Sequence, residues 1–135
     1  MWPAPEPGDI VWCRFPKRPR DMPGPKPRPA LVLEVTQRAD GVEVKVAYGT
    51  SKRLGRLLAG EFAIRKSDNA AAYALAGLSY DTKFNLAETL ALPWDNPYFA
   101  VPPNPRHGQM PTLGSLHSGM MKVFEVALRA TRSPR

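Results

Sequence analysis

Residues 30–49, ALVLEVTQRADGVEVKVAYG, read as two strands and the turn that joins them. The first part, 30–36, is nearly continuous in apolar side chains. The second, 41–49, alternates, with Val42, Val44 and Val46 on one face and Glu43 and Lys45 on the other. That period of two marks a half-buried strand. Asp40-Gly41 is a strong hairpin signal, so the two strands run antiparallel with their connection at 37–41. The start of one and the end of the other then share one end of the pair. Arg28 and Thr50 are therefore expected to be neighbours.

Outward from this hairpin, further strands are expected. Residues 9–15, DIVWCRF, alternate moderately after the turn signal Pro7-Gly8, and 60–66, GEFAIRK, read as another short strand. Residues 67–78, SDNAAAYALAGL, predict a two-turn helix with Ser67 or Asp68 as N-cap and Gly77 as the stop. The stretch 80–94 mixes strand alternation around Phe84 and Leu86 with the helix-favouring LAETLAL, and is read as two strands, 82–86 and 89–93. Residues 102–111 form a turn-rich loop. Near the C-terminus Leu116, Met120, Val123, Phe124, Ala127 and Leu128 recur at three- and four-residue spacing, which predicts an amphipathic helix on the sheet with its methionines as core filler. Short strands closed by a terminal helix make a fold that is mainly β with α. They point to a small half-open β-barrel, with a short inserted helix and a C-terminal helix, rather than a βαβ fold.

Between the first two strands lies PKRPRDMPGPKPRP, 16–29, with six prolines and five basic residues. It fits neither a helix nor a central strand, and a loop of this length in a compact domain is usually functional or disordered. Pro27 and Pro29 flank Arg28. Each proline fixes its own φ and biases its predecessor toward extended backbone, so Arg28 is held stiffly at the mouth of an apolar strand.

The 135 residues fit one domain, 1–135, large enough to bury a core without staples. The single cysteine, Cys13, sits in an apolar run and reads as a small buried hydrophobe. No signal peptide and no apolar run of membrane-spanning length is visible, so the chain is expected to be soluble and cytoplasmic, without membrane contact. Of a net charge of +7, the first 66 residues carry 13 Lys and Arg against 7 Asp and Glu. No amphipathic helix carries this excess, which favours a polyanionic partner, nucleic acid before membrane.

One cysteine and two histidines, His107 and His117, give none of the usual metal-ligand spacings, and no cofactor is implied. There is no glycine-rich phosphate loop entering a helix and no nucleophile elbow. What remains is arginine and hydroxyl. A guanidinium offers a planar fork of donors to a phosphodiester, and the hydroxyl of Thr50, with Ser51 beside it, offers another. Lys52, Arg53 and Arg56 extend a positive track for the rest of a strand. With Arg14, Phe15, Lys17, Arg18 and Lys26 they form the expected nucleic-acid-binding set. Among the aromatic residues, one or two of Phe15, Trp94 and Phe99 are candidates to touch bases.

PGDIVWCRFP, RPALVLEV, GTSK, GEF and a final LGSL before a helix together resemble the MazF/PemK family of toxin endoribonucleases from bacterial toxin–antitoxin systems. The resemblance runs from about residue 7 to residue 66 and resumes weakly over 113–129. It implies an SH3-like barrel with a terminal helix, usually a homodimer, that cuts single-stranded RNA without a metal. Cleavage would use the neighbouring 2′-hydroxyl and leave a cyclic phosphate and a 5′-hydroxyl. By position Arg28 matches the catalytic arginine and Thr50 the catalytic threonine, with Ser51 in the same motif. Some members carry a glutamate base in the loop before the arginine, where this chain has only Asp21; Glu6 and His107 are the other candidates. The segment 67–111 departs from the common pattern. The implied partners are single-stranded RNA and an acidic or amphipathic cognate antitoxin. Two rival readings are a non-catalytic SH3-like binding module and a gyrase-directed toxin of the same fold.

Overall fold

The alternation of 41–49 becomes a strand at the centre of the molecule. In the computed structural model, which describes residues 2–16, 22–103 and 108–132, six strands form β1 (Asp9–Cys13), β2 (Arg28–Arg38), β3 (Gly41–Thr50), β4 (Glu61–Ile64), β5 (Thr82–Pro93) and β6 (Thr112–Ser115). They make one antiparallel sheet in the order β4-β5-β3-β2-β1-β6, open at β4 and β6 as a half-open barrel is. Two helices, α1 (Ala70–Leu75) and α2 (Met121–Arg132), complete it, the second entered through a 3₁₀ turn at Ser118–Met120.

Because successive strand residues face opposite sides, β1, β2, β3 and β5 each feed two apolar layers, while β4 and β6 serve only the first. Ile10, Leu31, Ala47, Phe62, Phe84 and Leu86 pack with Ala72 and Ala76 of α1 and Ala127 of α2. Val11, Cys13, Ala30, Val32, Val44 and Val46 form the opposite layer with Leu92, Trp94 and Phe99. The indole N–H of Trp94 donates to the Pro3 carbonyl at 2.9 Å, fastening the N-terminal segment over that layer. Trp94 and Phe99 are thus core residues, 3% and 1% exposed, and are not available to a base as the sequence reading allowed. Cys13 is fully buried, and burial pushes its thiol up to about 12.

Several elements differ from their sequence-based expectation. The inserted helix is capped by Asn69, not Ser67 or Asp68: its side-chain oxygen accepts from the Ala72 N–H at 3.0 Å. Gly77, at φ +70°, ends it as expected. The strands expected at 82–86 and 89–93 are one strand, interrupted by a bulge. Ala47 pairs with Thr89 and the next residue, Tyr48, with Asn85, so Leu86, Ala87 and Glu88 lie between successive pairs. Residues 112–115, read as the approach to the terminal helix, pair with β1 as the edge strand β6. Along α2 the apolar stripe is only partly used: Val123 and Met121 are 46% and 40% exposed, whereas Phe124 and Leu128 pack on the first layer.

Candidate functional site

The β2–β3 hairpin closes at Arg38 and Gly41, and its pairing runs without interruption from Val32–Val46 to Ala30–Tyr48 at the open end. Two residues further, in the same register, stand Arg28 and Thr50. Both line one hollow of about 310 Å³, together with Ser51, Pro27 and Pro29. The strands can close to this distance because residue 49 is glycine. A β-carbon there would run into the Pro29 carbonyl oxygen and come within 2.9 Å of the Phe84 ring. The arginine and the hydroxyl expected to be neighbours share one wall.

Thr50 has a local duty as well. Its Oγ1 accepts the Lys52 N–H at 3.2 Å, shaping the turn after β3. A hydroxyl that accepts still holds a proton to donate, so this contact leaves Thr50 able to bond an anionic oxygen. The turn continues through Arg53, a non-glycine residue at φ +57°, which is an uncommon backbone state.

Beyond Thr50 a wider, open hollow of about 970 Å³ is lined by Lys52, Arg53 and Arg56, with Tyr48, Glu61, Lys83, Asn85 and Glu88. All three cationic side chains belong to exposed residues. Lys83 is different. Its ammonium donates to Glu61 Oε1 at 3.0 Å and to the Arg56 carbonyl at 3.2 Å, and it is held in the wall of the hollow rather than offered to a ligand. The Arg65 guanidinium donates to the Leu54 carbonyl and ties down the same loop.

On the other side of Tyr48 a third hollow, about 420 Å³, is lined by Phe15, Pro16, Gly24, Pro25, Lys26, Arg28, Tyr48 and Glu88. Its outer wall is the turn at 22–27, fixed by the Gly24 N–H donating to the Arg14 carbonyl at 3.0 Å and by Arg14 Nη1 donating to the Pro25 carbonyl at 3.2 Å. Arg14 therefore braces the site. Arg28 belongs to the first and third hollows, Thr50 to the first and second, and Tyr48 and Glu88 to the second and third. Three concavities meet around these four side chains.

Of the residues singled out by sequence, Arg28, Thr50, Ser51, Phe15, Lys26, Lys52, Arg53 and Arg56 all line this system. Lys17, Arg18, Asp21 and His107 lie outside the described residues. Glu6 accompanies β1 instead, its backbone N–H bonded to the Asp9 carboxylate at 2.9 Å, and it lines none of these three hollows. Sequence reasoning missed Glu88, and it counted Tyr48 among the aromatic residues able to stack a base but preferred Phe15, Trp94 and Phe99. The signal for Glu88 was the break in alternation between 86 and 89, which is where a bulge re-aims a side chain. Among the described residues no three His, Cys, Asp or Glu side chains are grouped to hold a metal ion, and no helix is long and apolar enough to cross a membrane.

The same architecture occurs in a solved endoribonuclease in complex with its cognate antitoxin, from a mycobacterial species. The likeness covers 98% of both chains, with a TM-score of 0.57 and 16% sequence identity. The fold is that of a known endoribonuclease. No family model and no curated protein matches the chain by sequence, so the likeness lies in the fold.

Proposed function

We propose that the protein is a metal-independent endoribonuclease toxin of the MazF/PemK type that cuts single-stranded RNA. The observation that carries this reading is the convergence of Arg28 and Thr50 on one hollow, at the end of a hairpin flanked by cationic loops. The fold shared with an endoribonuclease supports it.

In this reading the scissile phosphodiester sits between Arg28 and Thr50. The 2′-oxygen of the preceding ribose forms a bond to phosphorus as the bond to the 5′-oxygen breaks, giving a 2′,3′-cyclic phosphate and a 5′-oxygen that takes a proton from solvent to become the 5′-hydroxyl. Charge builds on the non-bridging oxygens in the transition state, where the guanidinium fork and the Thr50 hydroxyl donate to it. Lys52, Arg53 and Arg56 hold neighbouring phosphates. Asp21, seven residues ahead of Arg28 in the sequence, is the proposed acceptor of the 2′-hydroxyl proton, and Ser51 assists Thr50.

The proposed partner is a cognate antitoxin with an acidic segment that covers the basic hollows. A surface with this much positive charge invites such a mask. A cytoplasmic homodimer completes the assignment.

The test is incubation of the protein and its Arg28→Ala variant with a long unstructured RNA in EDTA, with fragment ends mapped. Discrete cuts with 5′-hydroxyl ends are expected from the parent, and a loss of about 10²–10³-fold from the variant. Salt-sensitive RNA binding without cleavage by either protein would instead identify a binding module.

A further inference from the structure

The hollow between the 22–27 turn and the β5 bulge does not hold the Arg28–Thr50 pair, yet it shares Arg28 with the hollow that does. At about 420 Å³ it falls within the range of small-ligand sites, roughly 300–1,000 Å³. Its walls are aromatic and proline-rich. Phe15 backs it, 8% exposed, and meets the half-buried Tyr48 edge to face with ring centroids 5.2 Å apart. Tyr48 is thereby fixed as a platform. Unstacked bases of single-stranded RNA bind on such platforms and are read along their edges.

The charged groups of the hollow are one carboxylate and two cations: Glu88, Lys26 and Arg28. An ionised carboxylate accepts hydrogen bonds at two oxygens and donates none. Among the four RNA bases only guanine presents two adjacent donors, N1–H and the N2 amino group, on one edge, with the acceptors O6 and N7 beyond them. Lysine or arginine is the usual partner of those acceptors. Adenine and cytosine present one amino donor beside acceptors that a carboxylate repels, and uracil a single imino donor.

The geometry points to this hollow as a guanine-specific base subsite: Glu88 reads N1–H and N2–H, Lys26 reads O6 and N7, and the ring lies on Tyr48. Because Arg28 borders both concavities, the guanine is the nucleotide flanking the cleaved phosphate. This assignment rests on the ribonuclease reading for its RNA substrate, but not on the identity of the proton acceptor. Glu88 lines the hollows on either side of Tyr48 and not the one where Arg28 and Thr50 meet, which places it at the base rather than at the reacting oxygen.

Two measurements test it. Cleavage rates are compared on four RNAs that differ only in the base flanking the mapped cut, for the parent and for Glu88→Gln. Glutamine presents an amide nitrogen, a donor, where one carboxylate oxygen accepted. The parent is expected to prefer guanine, and the variant to lose about 5- to 150-fold of that preference, the worth of one bidentate base contact. In parallel, binding of 2′-O-methyl oligonucleotides with a single guanine or adenine is read by fluorescence anisotropy, which needs no cleavage. Guanine preference in binding that Glu88→Gln removes supports the subsite even if the parent cuts nothing, in which case only the ribonuclease reading falls. Equal rates on all four RNAs, or equal affinities for the guanine and adenine oligonucleotides, overturn the subsite. So does a variant that slows on every RNA alike and loses the acidic limb of its pH–rate profile at unchanged affinity, since Glu88 would then be the proton acceptor.

Discussion

Lys83 Nζ lies 3.0 Å from Glu61 Oε1 in the wall of the basic hollow, and the two side chains are only 7% and 6% exposed. The pair joins β5 to β4, and through the Arg56 carbonyl and the Leu58 N–H, which Glu61 accepts at 2.8 Å, it also holds the loop that carries the cations. Breaking a buried pair by removing one member leaves an uncompensated charge, a loss of about 3–5 kcal/mol. Glu61→Ala is expected to cost that much in urea denaturation. The double variant Lys83→Met with Glu61→Leu should recover most of it, because two apolar side chains leave no charge behind. A single variant that costs under about 1 kcal/mol would show the pair to be solvated.

Gly49 sets the distance between the catalytic candidates. In Gly49→Ala the added carbon meets backbone on one side, the Pro29 carbonyl, and the Phe84 ring on the other. Backbone cannot swing aside as a side-chain tip does. Overpacking of this kind costs roughly 1–3 kcal/mol, and relief of it moves β2 away from β3. The variant is expected to retain its fold, with a lowered urea midpoint, and to lose RNA cleavage disproportionately to that loss. Full activity at reduced stability would show that the spacing of Arg28 and Thr50 does not matter.

What the sequence disclosed and what it hid follow from how local each signal is. The β2–β3 hairpin was legible because alternation and Asp40-Gly41 are properties of neighbouring residues, and with the hairpin came the juxtaposition of Arg28 and Thr50. The short strand β6 was not legible. Its four residues are all half-buried and carry no alternation, and they become a strand only because the edge of β1 is there to pair with. The bulge at 86–88 showed itself as a gap between two apparent strands, but only the three-dimensional register reveals that the gap delivers Glu88 beside Tyr48. For the helix cap, three consecutive residues, Ser67, Asp68 and Asn69, each have the right chemistry. The choice of Asn69 is made by the preceding turn, in which the Arg65 carbonyl accepts the N–H groups of both Asp68 and Asn69.

Cys13 supplies a pH-dependent prediction. Burial raises its thiol from 9.0 to about 12, so the folded state keeps the proton that the unfolded chain gives up. Above pH 9 the unfolded state binds fewer protons than the folded one, and stability therefore falls as pH rises. The fall is at most about 1.4 kcal/mol per pH unit from this group and ends near pH 12. Stability curves of the parent and Cys13→Ala should diverge in slope only above pH 9. At pH 8 the native thiol should also resist alkylation until denaturant is added, since the thiolate is the reactive form.

The cations beside Thr50 make the last prediction. Lys52, Arg53 and Arg56 are exposed, line one hollow, and among the described residues have no acidic side chain within ion-pairing distance. Charges placed this way act on a nucleic acid through its phosphates, and each phosphate they neutralise releases condensed counterions. For a single strand the logarithm of affinity then falls against the logarithm of salt with a slope of about −0.7 per contact. Replacing all three by glutamine is expected to flatten that slope by about 2 units, with little change in which bases are preferred, because phosphate contacts position a strand and do not read it. Fluorescence anisotropy on a labelled oligonucleotide at four or five salt concentrations measures the slope directly. A triple variant with the parent's slope would move the strand off this hollow and onto the 22–28 side of Tyr48, where Lys26 and Arg28 are the cations on the path.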